Sequence, residues 1–248
     1  MTRRLFAELE VYREAGARSA AMNMAVDEAL LEYAAIPLIR FYRWQSPALS
    51  FGYFGRFTDV ASYQCERDLV RRWTGGGIVF HGEDLTYSLV IPTSDTAFAE
   101  SSTSIYEKIH QALCDALSEI GQRAVAATGV GSSAVALAKA DDAGPGSTPV
   151  AVRTGISDAC YSCFANPVRA DVMIDGRKIA GAAQRRTRRG LLQQGSIQGI
   201  DLETDLAQRF AQELSTDRRE RKVDEKILNR ARELAEQKYG TESWLRKR

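Results

Sequence analysis

Three consecutive glycines, Gly75-Gly76-Gly77, sit inside an otherwise apolar, strand-like stretch that runs from Arg71 through His81 to Val90. Glycine gives up more backbone entropy on folding than any other residue and has no side chain to pack, so a run of three is costly. Such a run persists where the backbone must bend sharply or where something must lie directly against it. Arg71 and Arg72 precede it, Thr74 adjoins it, and His81, one of only two histidines in the chain, follows it. Two readings are open: a backbone cradle with cationic and polar groups around it, or a glycine bulge at a sheet corner with its arginines in solvent.

The chain has 248 residues, of which 44% are hydrophobic and 26% charged, as expected of a globular protein with a sizeable core. Its net charge of +1 argues against broad nucleic-acid binding. The first residues lack the apolar core of a signal peptide, and no stretch approaches the length of a membrane span. Four cysteines do not make a disulfide framework in a chain of this length, so a cytoplasmic location is expected.

Ser19 can cap a helix with apolar residues Met22, Val26, Ala29, Leu30 and Tyr33, which places Asp27 and Glu28 on its polar edge. Leu38–Trp44 and Ala48–Phe54 read as strands, as do the segments on either side of the glycine run. Ser104 with Glu107 makes a capping box before a helix with Ile105, Ile109, Leu113, Ala116, Leu117 and Ile120 on one face and Gly121 at its end. His110, on this helix, has no companion ligand and is expected at the surface or in packing. Residues 124–155, poor in aromatics, read as a long loop, either disordered or a lid. Asp175-Gly176 suits a tight hairpin turn between 169–174 and 177–187, and Arg189-Gly190 turns the chain into a third strand, 191–197. After Asp201 the sequence becomes helical and charged, with Arg218–Lys222 expected as a solvated face.

Two groups have chemical potential. Cys160 and Cys163 form a Cys-x-x-Cys that could be a redox pair, half of a zinc site, or inert core; one such pair and two distant histidines argue against metal. Lys178 stands on a hairpin strand facing small residues, Gly181 and Ala183 among them, that leave space beside it.

The run Arg-Arg-x-Thr-Gly-Gly-Gly-x-Val-x-His followed by Leu-Thr-Tyr-Ser resembles the signature of the lipoate-protein ligase and octanoyltransferase family. The likeness extends to Asn23–Leu30, Arg40–Trp44 and Gly176–Gln184, covering most of residues 20–200. It implies an α+β catalytic domain of the biotin/lipoate protein ligase, or class II synthetase-like, type over residues 1–201. That domain would have a mixed, largely antiparallel sheet flanked by helices, with a short helical extension over 202–248.

The implied reaction is transfer of an octanoyl or lipoyl group from acyl carrier protein to a lysine of a lipoyl domain or glycine-cleavage H protein. Cys163, followed by Phe164 as in thioester-forming members, would carry the acyl group with no cofactor, and Lys178 would favour the thiolate and hold the carbonyl oxygen. Arg72, Thr74, Gly75, Gly76, Gly77, His81, Gly181 and Ala183 would line the substrate pocket, and Arg185–Arg189 could dock an acidic carrier. The alternatives are an ATP- and Mg-dependent lipoate ligase, whose usual accessory domain is expected to need more than residues 202–248, and a non-catalytic carrier-binding relative. Gly55-Arg56 and Gln194-Gly195 depart from the family pattern, which often has a glutamine at the first place and His-Gly at the second. The lost histidine leaves the base that accepts the amine proton unassigned.

Overall fold

A computed structural model describes residues 4–14, 16–128, 167–201 and 205–247. Cys160, Cys163 and most of the expected loop 124–155 lie outside them. Two sheets organise the chain. The larger contains β1 (Glu8–Arg13), β2 (Leu38–Tyr42), β6 (Leu85–Pro92), β7 (Ala124–Ala126), β8 (Val172–Ile174), β9 (Arg177–Arg186), β10 (Gly190–Ile197) and β11 (Asp217–Arg221), in the order β11-β1-β2-β6-β10-β9-β8-β7. The smaller pairs β3 (Ala48–Phe51) with β4 (Asp68–Arg71) on one side and β5 (Ile78–His81) on the other. In the large sheet β1 is parallel to both of its neighbours and every other pairing is antiparallel, the mixed, largely antiparallel α+β arrangement expected.

Helices cover both faces of the large sheet because its central strands alternate apolar residues on each. Ile39 and Phe41 of β2 with Tyr87, Leu89 and Ile91 of β6 pack against helices α2 (Ser102–Glu119) and α3 (Leu206–Leu214). Leu38, Tyr42 and Val90 face the other way, toward α1 (Ala20–Tyr33) and α4 (Glu225–Leu234). That second face also presents polar side chains, Arg40 and Ser88, and the site lies there.

Several local readings need correction. Helix α2 begins three residues before the expected box: Ser101 is its cap, accepting from the Ser104 amide at 3.1 Å. Ala124–Ala126 is an edge strand rather than loop. The charged run after Thr216 is exposed but is strand β11, whose Arg219 and Arg221 pair with Glu8 and Glu10 of β1. The expected stripe after it holds, with Ile227, Ala231 and Leu234 buried on the face that meets α1. His110 is fully buried: Nδ1 donates to the Ala170 carbonyl at 2.7 Å and Nε2 accepts from the Tyr87 hydroxyl at 3.0 Å.

The largest departure is α1. Asp27 and Glu28 are buried, not on a polar edge, because the helix is covered on all sides by the sheet and α4. Both Asp27 oxygens are fully used. Oδ1 accepts from Arg40 Nη1 at 2.6 Å and Ser88 Oγ at 2.7 Å; Oδ2 accepts from the Tyr42 hydroxyl at 3.0 Å and Gln194 Nε2 at 2.7 Å. Arg40, itself fully buried, also reaches Asn23 and Glu14. A carboxylate and guanidinium buried together are tolerable only when every donor and acceptor is met in this way.

Candidate active site

A cavity of about 380 Å³ opens between the two sheets. One wall is Ser50 of β3 with Val79 and His81 of β5; the other is Thr86 of β6 with Gly195 and Ser196 of β10. Met24, Tyr42 and Trp44 close the α1 side, and the loop 72–77 from β4 to β5 forms a rim through Arg72, Gly76 and Gly77. Lys178, Gly181 and Ala183 of β9 also face it. The fold therefore brings seven of the expected residues to one space: Arg72, Gly76, Gly77, His81, Lys178, Gly181 and Ala183. Thr74 and Gly75 stand behind the rim, outside the lining.

The two arginines ahead of the glycines diverge. Arg71 turns away from the cavity and donates to the carbonyls of Tyr53, Gly55, Leu245 and Lys247 at 2.6–2.9 Å, fastening the loop to the last helix α5 (Glu242–Leu245). Arg72 turns inward, donating to the Gly75 and Gly77 carbonyls at 3.0 and 2.8 Å and to Ser50 Oγ at 2.7 Å. The loop is pressed against Gly52, where a Cβ would stand 2.0 Å from the Gly76 carbonyl oxygen. Gly76 has φ of 83°, a backbone conformation that favours glycine.

His81 is the centre of a second buried network. Its Nδ1 lies 2.7 Å from Asp84 Oδ2, its Nε2 2.6 Å from Ser50 Oγ, and its ring stacks on Trp44 with centroids 4.0 Å apart. Asp84 also accepts from Thr86 Oγ1 at 2.8 Å and Ser196 Oγ at 2.7 Å. Burial holds His81 below its ordinary value, assisted by Arg72 and Arg67 and opposed by Asp84. Burial acts to raise Asp84, yet His81 and the hydroxyls of Ser196 and Thr86 outweigh it and keep the carboxyl below the usual range. A neutral imidazole beside a carboxylate satisfies both shifts.

At the far wall, Lys178 Nζ lies 2.7 Å from Asp171 Oδ2, and both side chains are buried. Asp171 accepts also from the Tyr106 hydroxyl at 2.6 Å and the Val168 amide at 2.7 Å, so the carboxylate is held from three directions. Tyr106 in turn accepts from the Ala182 amide of β9 at 3.1 Å.

The two departures from the family pattern differ in consequence. Arg56 is exposed, pairs with Asp59 at 3.2 Å and does not line the cavity. Gln194 lines it, and its amide spans two groups: Oε1 accepts from Thr74 Oγ1 at 2.8 Å while Nε2 donates to Asp27. Of the two described cysteines, Cys65 is exposed and Cys114 lies in the core, where burial pushes its thiol up to about 12.

Sequence reasoning missed Ser50, Asp84 and Asp171. The i,i+3 spacing of His81 and Asp84 across a turn was a usable signal for one of them; Ser50 reaches the site only through pairing of the distant strands β3 and β5, whereas Asp171 meets Lys178 across the local β8–β9 hairpin.

Fold and site together define an α+β domain with a cavity of about 380 Å³, a glycine-loop rim and a buried lysine. Two solved structures share the fold: lipoate-protein ligase A bound with ATP (TM-score 0.64, 23% identity, covering 97% of this chain and 98% of that one) and a lipoate protein ligase of Thermoplasma acidophilum (TM-score 0.61, 23% identity, covering 97% and 96%). The lipoyl protein ligase A/B catalytic domain family matches residues 19–240, and this chain belongs to it. Among curated relatives, octanoyltransferase LipM of Bacillus cereus is 35% identical over 204 residues, which cover 79% of this chain and 66% of the relative, just under two thirds of its length. LipM of Staphylococcus epidermidis is 32% identical over 226 residues, covering 87% and 74%. Among the described residues no helix is long and apolar enough to cross a membrane.

Proposed function

We propose that this protein is an octanoyltransferase. It would move an octanoyl (or lipoyl) group from acyl carrier protein to a lysine of a lipoyl domain or glycine-cleavage H protein, through a thioester on Cys163. The observation that carries this reading is Lys178. A lysine is rarely buried at a cavity wall without a task, and here Asp171 fixes it beside the small residues Gly181 and Ala183, which leave room for a chain. The named relatives, LipM octanoyltransferases, support the same chemistry.

In this reading the Cys163 thiolate attacks the carrier thioester, the carrier thiolate leaves, and the acyl chain lies in the cavity. The Lys178 ammonium holds the carbonyl oxygen as negative charge develops on it. The acceptor amine then attacks, an amide C–N bond forms and the Cys163–acyl bond breaks. Arg188 and Arg189, exposed at the β9–β10 turn, are the basic groups offered to an acidic carrier.

The test is intact-mass analysis after incubation with octanoyl-carrier and no ATP. One octanoyl adduct is expected on the wild type and on Cys160→Ser, removable by hydroxylamine, absent from Cys163→Ser, and slow or absent in Lys178→Ala. If acceptor modification instead requires free lipoate with ATP and survives Cys163→Ser, the protein is a ligase acting through lipoyl-adenylate. If neither donor system modifies an acceptor, a non-catalytic carrier-binding role stands.

A further inference from the structure

The amide bond written above releases a proton, and the family-pattern histidine that would take it up is replaced by Gln194. Ser50, His81 and Asp84 supply another route. Asp84, an ionised carboxylate, can only accept a hydrogen bond, so His81 Nδ1 carries the proton in the 2.7 Å contact between them. With the imidazole neutral, Nε2 is bare and must accept; the donor 2.6 Å away is the Ser50 hydroxyl. The Arg72 guanidinium can only donate, so Ser50 Oγ accepts from it at 2.7 Å while giving its own proton to His81. Every proton in the chain Arg72–Ser50–His81–Asp84 is thereby assigned. The ring is fixed by its stack on Trp44, and both Ser50 and His81 face the cavity that contains Lys178.

We propose that Ser50 and His81, oriented by Asp84, form a proton relay that takes up the proton of the attacking acceptor amine. The proposal rests on the acyl-transfer reading given above. As the amine nitrogen bonds to the acyl carbon, its proton passes to Ser50 Oγ and the Ser50 proton passes to His81 Nε2. The C–S bond then breaks with its electron pair on sulfur. The imidazolium so formed lies against the Asp84 carboxylate and returns its proton through Ser50 to the departing thiolate or to water. Asp84 is a positioning residue: it fixes the tautomer and stabilises the transient cation, as a carboxylate does behind a histidine base elsewhere. Thr86 and Ser196 fix Asp84 in turn.

The experiment compares two acyl acceptors from the same octanoyl donor: the lysine of a lipoyl domain, and hydroxylamine, whose weakly basic nitrogen, once bonded to the acyl carbon, is acidic enough to give its proton to water without an enzymic base. Ser50→Ala, His81→Gln and Asp84→Asn are each expected to lower the ratio of lysine to hydroxylamine transfer on the order of 10²-fold, the range of general base catalysis. Equal losses on both acceptors, or no loss on either, would overturn the relay and leave these residues a packing role. Nitrogen-15 NMR at neutral pH, with the His81 signals told from those of His110 by the His110→Gln protein, reads the tautomer with the relay intact; Nδ1–H with unprotonated Nε2 is expected at His81, and the opposite tautomer or an imidazolium overturns the relay. A wild type that transfers acyl groups to neither amine refutes the transferase reading itself, and the relay with it. A wild type active on both amines with an unchanged ratio in all three variants refutes the relay alone.

Discussion

Gly181 lies against the side chain of Lys178 so closely that a Cβ on Gly181 would stand 2.6 Å from its Cε and 2.7 Å from its Nζ. The obstructed atoms are the far end of a flexible side chain, not backbone, so Gly181→Ala should displace the ammonium from Asp171 without unfolding the domain. The expected result is a loss of acyl-transfer rate of roughly tenfold or more against a stability loss of about 1–3 kcal/mol, the range for an added methyl in a packed site, which leaves the domain folded. Steady-state kinetics beside a denaturant titration check this; unchanged kinetics would remove the Lys178–Asp171 geometry from the reaction.

Gln194 joins the glycine loop to the buried network under α1, donating to Asp27 at 2.7 Å and accepting from Thr74 at 2.8 Å. Gln194→Leu keeps the volume but leaves the Thr74 hydroxyl and one Asp27 site without a partner. Leaving buried polar groups unsatisfied costs about 1–3 kcal/mol, so a clear drop in the unfolding midpoint is expected. Thr74→Val should lose less, because Gln194 would keep its bond to Asp27. Equal midpoints for Gln194→Leu and the wild type would show that water replaces the bridge.

This bridge illustrates what the sequence could and could not convey. The glycine run, the Asp175-Gly176 hairpin and the alternating strands announce themselves locally, through backbone freedom and side-chain period, and the structure keeps them: Asp175 and Gly176 have φ of 48° and 76° in a tight turn. Asp27 could not be placed, because helical spacing separates faces by polarity and α1 is buried on all of them. The partners that make its charge tolerable come from β2, β6 and β10, brought together by register alone. Ser50 was hidden for the same reason; Asp171 lies beside the hairpin that Asp175-Gly176 announces, but side-chain direction and Tyr106 of α2, not local pattern, set its role. Their meaning lies in the residue each meets, 31 positions away at His81 for one and across the β8–β9 hairpin at Lys178 for the other.

His110 makes stability depend on pH. Burial lowers its value from 6.5 to about 4, with the Ala170 carbonyl and Asp171 opposing. The folded value lies below the unfolded one, so the unfolded chain takes up the proton first as pH falls. The associated stability is fully present above about 6.5, declines below it, and is gone below about 4. A shift of this size corresponds to about 3 kcal/mol. Urea midpoints measured between pH 7 and pH 4 should fall more steeply for wild type than for His110→Gln, which can keep a hydrogen bond but cannot take up a proton. Parallel curves would mean that carboxylates alone set the acid limb.

The glycine run offers the last test, because its members are not equivalent. A Cβ on Gly75 meets nothing within 4 Å, and Gly75 does not line the cavity, so Gly75→Ala should alter neither stability nor transfer appreciably. Gly76 faces the cavity with φ of 83°, where a β-branched side chain is strained. Gly76→Val should therefore lose about 1–3 kcal/mol, a loss a domain of this size can bear while still unfolding cooperatively. Its transfer activity should be abolished, because the new side chain and the altered rim would intrude on the space proposed for the acyl chain. Thermal unfolding and octanoyl transfer, measured on both variants, decide the matter. Full activity in Gly76→Val would remove the cradle from the site, whereas outright unfolding would make the run a structural bend. Loss of activity in a folded Gly76→Val, with Gly75→Ala unaffected, assigns the cost of the run to what it binds.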